Sequence, residues 1–166
     1  TASIHAYRGV DPNSPFDAAA QITPGATDTL APHPLTSPAV TTHTGGALVY
    51  VYYHVMGDGT GVVEPNTTPP PSIPVPSGMI DRGTEMMEGD ELSYPRSHRI
   101  ADAIQGTAGT CAARTVGTDK ASMWVAGTIA LRPGVPPVAD FTYTSRGLTV
   151  TFDDVSSGEI SSRLWD

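Results

Sequence analysis

Ala47-Leu48-Val49-Tyr50-Val51-Tyr52-Tyr53-His54-Val55 reads as a β-strand. The nine residues are rich in β-branched and aromatic side chains, and they carry no charge at helical spacing. Because strand side chains alternate, Val49, Val51, Tyr53 and Val55 share one face and Tyr50, Tyr52 and His54 the other. Gly45-Gly46 precedes the stretch and Gly57-Asp58-Gly59-Thr60-Gly61 follows it, so turns bound it on both sides. The glycine-rich segment is not followed by a lysine, which argues for a hairpin turn rather than a phosphate-binding loop.

Other pieces of similar kind lie on either side. Upstream, Ser3-Ile4-His5-Ala6-Tyr7 reads as a strand ended by Gly9. Asp11-Pro12, Pro15, Pro24-Gly25, Pro32, Pro34 and Pro38 then cut the chain into short segments. Downstream, Arg99–Ile104 and Thr110–Val116 each predict a strand. So does Ser122–Leu131, whose faces, Met123/Val125/Gly127/Ile129/Leu131 and Trp124/Ala126/Thr128/Ala130, are both largely apolar. Such a strand belongs in a covered or central position. Between them, residues 64–76 hold six prolines and predict an extended surface loop of polyproline character. Glu85, Met86, Met87, Glu88, Asp90 and Glu91 read as a solvated loop or short helical turn. Many short strands without an amphipathic helix predict an all-β chain, an antiparallel β-sandwich or jelly roll.

Composition agrees. Gly and Pro supply 17 and 16 of the 166 residues, which costs too much for a helical bundle or coiled coil. The 39% hydrophobic residues are enough to build a core, against disorder along the whole chain. Lys and Arg total 9 against 17 Asp and Glu, a net charge of −8, with Lys120 the one lysine. Phosphate contacts need a basic face, so the reading is no nucleic-acid partner. No apolar run reaches a membrane span, so no membrane insertion is expected. Cys111 stands alone, cannot form an internal disulfide and reads as a small buried apolar residue.

Arg132-Pro133-Gly134-Val135-Pro136-Pro137 marks a boundary. The segmentation is 1–132 as a sandwich module, 133–137 as a Pro-rich linker and 138–166 as the start of a second domain. That last block resembles the opening of a polycystic-kidney-disease (PKD) type domain, an immunoglobulin-like sandwich. The residues carrying the resemblance are Pro137-Val138-Ala139-Asp140-Phe141, Gly147-Leu148-Thr149-Val150-Thr151-Phe152, Asp154-Val155-Ser156-Ser157-Gly158 and Leu164-Trp165-Asp166. The resemblance implies the first strands of an incomplete immunoglobulin-like sandwich, truncated within the Trp-Asp hallmark.

Residues 1–132 resemble a jelly-roll module found in minor tail proteins of phages infecting actinobacteria and in secreted actinobacterial proteins. The resemblance rests on Ala6-Tyr7-Arg8-Gly9-Val10-Asp11-Pro12-Asn13-Ser14-Pro15-Phe16-Asp17, on Ser37–Thr42 with Gly46–Val49, and on Val125–Pro133. It implies a structural virion component, a homo-oligomer that contacts other virion proteins and a host cell-surface glycan. It brings no catalytic residue. The reading is therefore a non-enzyme located in the virion tail. The alternative is an extracellular carbohydrate-binding accessory module of a secreted actinobacterial enzyme.

Searching the residues for chemistry gives little. No nucleophile elbow, His-Glu-x-x-His, Cys-x-x-Cys or phosphate loop is present. His5, His33, His43, His54 and His98 show no metal-ligand spacing, so the expectation is no metal and no cofactor. Ca²⁺ at a sandwich loop stays open as an alternative. Asp153 and Asp154 point to opposite faces of a strand and cannot both address one bond. The candidate ligand site is an aromatic platform for a sugar ring formed by Tyr50, Tyr52, His54 and Trp124. Packing between sheets accounts for the same residues.

Overall fold

A computed structural model describes residues 4–25, 33–56, 70–87, 95–119 and 123–158. Among these residues eleven strands run β1 (Phe16–Gly25), β2 (His33–Ser37), β3 (Val40–Thr42), β4 (Ala47–Met56), β5 (Ile80–Met87), β6 (Arg96–Gln105), β7 (Gly109–Cys111), β8 (Arg114–Thr118), β9 (Met123–Leu131), β10 (Phe141–Arg146) and β11 (Thr149–Asp154). The protein is all-β and antiparallel, a β-sandwich.

One layer is a five-stranded sheet in the order β1-β9-β4-β6-β5. The other is a two-stranded ribbon, β2 and β3 running against β8 and β7. The pairings nest: β1 with β9, β2 with β8, β3 with β7, β4 with β6. The chain is thus a long ribbon folded over on itself, as in jelly rolls. Strand β4 is the middle strand of the sheet, and β9 lies beside it, paired on both edges with β1 and β4, an interior position in the sheet.

The core lies between the layers. Val49, Val51, Tyr53 and Val55 of β4 are buried to within 1%. They meet Leu35 and Val116 at one end of the ribbon, and Val40 and Cys111 at the other. Cys111 is buried, free and packed with Val40, Val49 and Ala130, the apolar role read for it. β9 turns Ala126, Thr128 and Ala130 inward, and small residues there let the ribbon approach. The Tyr53 hydroxyl donates to the Arg114 carbonyl at 2.8 Å and reaches Ser37 Oγ at 3.2 Å. Thr128 Oγ1 donates to the Pro38 carbonyl at 2.7 Å. These bonds satisfy buried polar atoms where the ribbon breaks between β2 and β3.

Four local expectations need correction. Residues 4–9 form no strand; they cross the sheet, and pairing begins only at the Val10–Pro133 bridge. Thr110–Val116 is not continuous, because the ribbon breaks at Ala112-Ala113, close to the break at Pro38-Ala39 on the opposite strand, so β7 and β8 are separate. The described part of the Pro-rich segment, residues 70–76, is no surface loop: Pro71 and Ile73 are fully buried, and Ile73 packs in the main core. Proline lacks the donor for a ladder but can still roof a core with its apolar ring. Glu85 and Met86 lie in strand β5, not in a solvated loop or helical turn, since β6 supplies their backbone partners. Gly57–Gly61, residues 64–69 and residues 88–91 lie outside the described residues, as do Leu164-Trp165-Asp166.

The segments carrying the jelly-roll resemblance converge. Asp11 N–H donates to the Arg132 carbonyl at 3.0 Å, Arg132 N–H to Pro15 at 2.9 Å and Gly134 N–H to Gly9 at 2.8 Å. Asp17, 2% exposed, accepts the backbone N–H groups of His43 and Thr44 and reaches Arg132 Nε at 3.4 Å. Burial alone would raise its pKa. The hydrogen bonds from Thr44, His43 and Arg132 outweigh burial and hold it below the ordinary carboxylate range. This clasp ties both ends of the module together.

β10 and β11 form a separate hairpin joined at Gly147-Leu148. Gly147 has φ +63°, the left-handed conformation that two-residue hairpin turns demand. Val138 and Ser157 exchange backbone hydrogen bonds at its open end. One face carries Phe141, Tyr143, Val150 and Phe152, the other Thr142, Thr144, Thr151 and Asp153. Asp153 and Asp154 therefore diverge, as expected for neighbours on a strand.

Candidate functional site

The register puts Tyr50, Tyr52 and His54 together on the outer face of the five-stranded sheet, turned away from the ribbon. Trp124 is elsewhere. It pairs with Val55, points inward and packs against the main core. Its indole lies on Gly25, where a Cβ would stand 1.7 Å from the ring. The expected four-residue platform is therefore divided between two faces of the sheet.

The three residues that share the outer face are half-buried. The N-terminal segment crosses it and places His5 and Tyr7 edge-on to Tyr50, with ring centroids 6.3 and 6.2 Å away. Tyr52 lies along Gly127, where a Cβ would come within 3.3 Å of its ring. Burial raises the pKa of both Tyr50 and Tyr52, so both hydroxyls stay protonated at neutral pH. His54 is pushed down by burial and by the neighbouring His98 and Arg96, so it is a neutral imidazole.

Beside Tyr50, Asp102 sits 1% exposed. It accepts the Tyr7 hydroxyl at 3.0 Å and Arg82 Nε at 2.7 Å, and its Oδ1 has no partner among the described residues. Burial and this carboxylate together raise the Tyr7 hydroxyl well above its ordinary value, and the same carboxylate raises Arg82. Arg82 reaches the outer face because β5 bulges between Asp81 and Gly83, which inserts one unpaired residue. Asp81 instead pairs with Arg99 Nη1 at 2.6 Å, a contact that holds its carboxyl below the usual range. Further along β5 and β6, Glu85 faces His98 at 3.8 Å, and His98 is the cross-strand neighbour of His54.

Tyr7, Arg82, Glu85, His98 and Asp102 are not marked as one group by any pattern in the sequence. They come from three segments, and a bulge sets their register; no spacing in the sequence encodes it. Among the described residues no group of three or more His, Cys, Asp or Glu could hold a metal ion. No family model, curated protein or solved structure matches this chain.

The outer face also carries exposed apolar side chains. Phe16, Ile22, Ile80, Ile104 and Met123 all lie on it and are each more than half exposed. Side chains of this size, distributed around a partly polar centre, suit contact with another surface.

Proposed function

We propose that the chain is a non-enzymatic structural and adhesive module of a phage virion. In this reading it is a minor tail protein of the tail tip or fibre, and it contacts other virion subunits, further copies of itself and the host surface. The observation that carries the reading is the outer sheet face, where five large apolar side chains stand exposed around a polar centre. The resemblance of residues 6–17 and 125–133 to minor tail modules supplies the setting, and those residues form the clasp that closes the unit. The net charge of −8 would limit nonspecific adhesion to nucleic acid.

Immunogold labelling of particles from the source culture tests this. Label at the tail tip is the expected result. Particles free of label, with the chain recovered from the medium in one polypeptide with a catalytic domain, would instead establish the alternative reading, a carbohydrate-binding accessory module of a secreted enzyme. One observation favours that alternative: the polar cluster of Arg82, Glu85 and His98 beside the tyrosines.

A further inference from the structure

Between the N-terminal segment and strands β5 and β6 lies a half-open cleft of about 410 Å³. Ile4 and Ile100 give it aliphatic walls, and His5, Arg82, Glu85 and His98 give it polar ones. We propose that this cleft, and not the Tyr50/Tyr52/His54 surface, is a binding site for one neutral pyranose unit of a glycan. The proposal deepens the host-contact part of the reading above and rests on it for its biological setting.

Three features point to that ligand chemistry. First, the cleft is built. A bulge and the φ of +151° at Gly83 turn Arg82 onto this face, and Asp102, itself braced by Tyr7, fixes the guanidinium there. Second, it carries no surplus positive charge. Asp102 offsets Arg82 and Glu85 adds a carboxylate, so the cleft offers hydrogen bonds without the positive field that would select an anion. The Arg82 side chain is still 41% exposed, leaving donors for a ligand. Third, it presents an acceptor side chain. Glu85 is 36% exposed, while its Oε2 is buried 3.8 Å from His98 Nε2 with no hydrogen-bond partner among the described residues.

A sugar hydroxyl both donates and accepts. Adjacent hydroxyls can therefore donate to Glu85 while accepting from Arg82 or from a ring N–H of His98. The C–H face of the ring can rest on Ile4, whose side chain is exposed. The volume falls in the range of small-molecule sites. Tyr50, by contrast, has His5 and Tyr7 against it and offers less open ring for stacking.

Saturation-transfer NMR on the full chain tests this, with the methyl glycosides of glucose, galactose, mannose and N-acetylglucosamine as probes. Transfer to at least one probe is expected. Glu85→Ala should weaken it at least tenfold, and Glu85→Gln, which keeps the side-chain size and strand packing, should weaken it less. Tyr52→Ala should leave it unchanged. Silence from all four probes overturns the proposal. So does unchanged binding in both Glu85 variants, loss of binding in Tyr52→Ala alone, or tighter binding of methyl glucuronide than of any neutral probe. Sugar silence with labelled tails removes only this inference; sugar binding with unlabelled particles removes the virion reading instead.

Discussion

β4 and β11 alternate with the same period, yet β4 buries every second side chain and β11 buries none. In β4 the valines and Tyr53 meet the ribbon of β2, β3, β7 and β8. In the β10–β11 hairpin, Phe141, Tyr143, Val150 and Phe152 form an equally apolar row that remains about half exposed or more. Alternation thus specifies which residues share a face, but a second layer must supply the burial. Among the described residues β10 and β11 make a two-stranded sheet with no buried side chain, and two strands by themselves are marginal in water. The sandwich, by contrast, has a closed core and a clasp.

The comparison can be tested by mutation. Leu35→Ala opens a cavity under the ribbon and should cost about 3–4 kcal/mol in urea unfolding of the sandwich. A loss under about 1 kcal/mol would mean that the ribbon is not the layer that seals β4. Asp17→Ala leaves two backbone N–H groups of the clasp without their acceptor and should cost about 2–3 kcal/mol; the long, part-exposed Arg132 contact keeps the figure below that of a fully buried pair.

The same carboxylate sets a pH signature. Its folded pKa lies below the unfolded value of 3.8, so its contribution is fully present above that pH and is lost as pH falls through the folded value. Acid titration followed by circular dichroism should show a steeper loss of stability below pH 3.8 in the parent than in Asp17→Ala. Tyr143→Ala, on the hairpin, should shift sandwich unfolding by under about 0.5 kcal/mol, because exposed substitutions seldom do more. A larger shift would show that the hairpin contributes to the sandwich core.

The sequence is legible where local rules act alone. The faces of β4 and β9, the buried role of Cys111 and the all-β class follow from alternation, turn residues and composition. It is less legible where tertiary context overrides those rules. Proline avoids ladders, so Pro71 and Ile73 read locally as surface loop, but an apolar ring needs no ladder to roof a core. Residue type groups Trp124 with Tyr52, but strand order and register set it on the opposite face. Arg82 and Asp102, twenty residues apart, meet through a bulge whose only local mark is Gly83.

The clasp has a mechanical consequence. The chain enters the sandwich at Gly9 and leaves at Gly134, side by side, with Phe16 at the start of β1 opposite Leu131 at the end of β9. Tension applied through the two ends would load the β1–β9 ladder one rung at a time from that corner, in the peeling geometry rather than in shear. The Gly134–Gly9 bond is the first rung to bear it, followed by Arg132 with its bonds to Asp11, Pro15 and Asp17. A string of such modules would lengthen under load by opening at this corner before the core under the ribbon is disturbed.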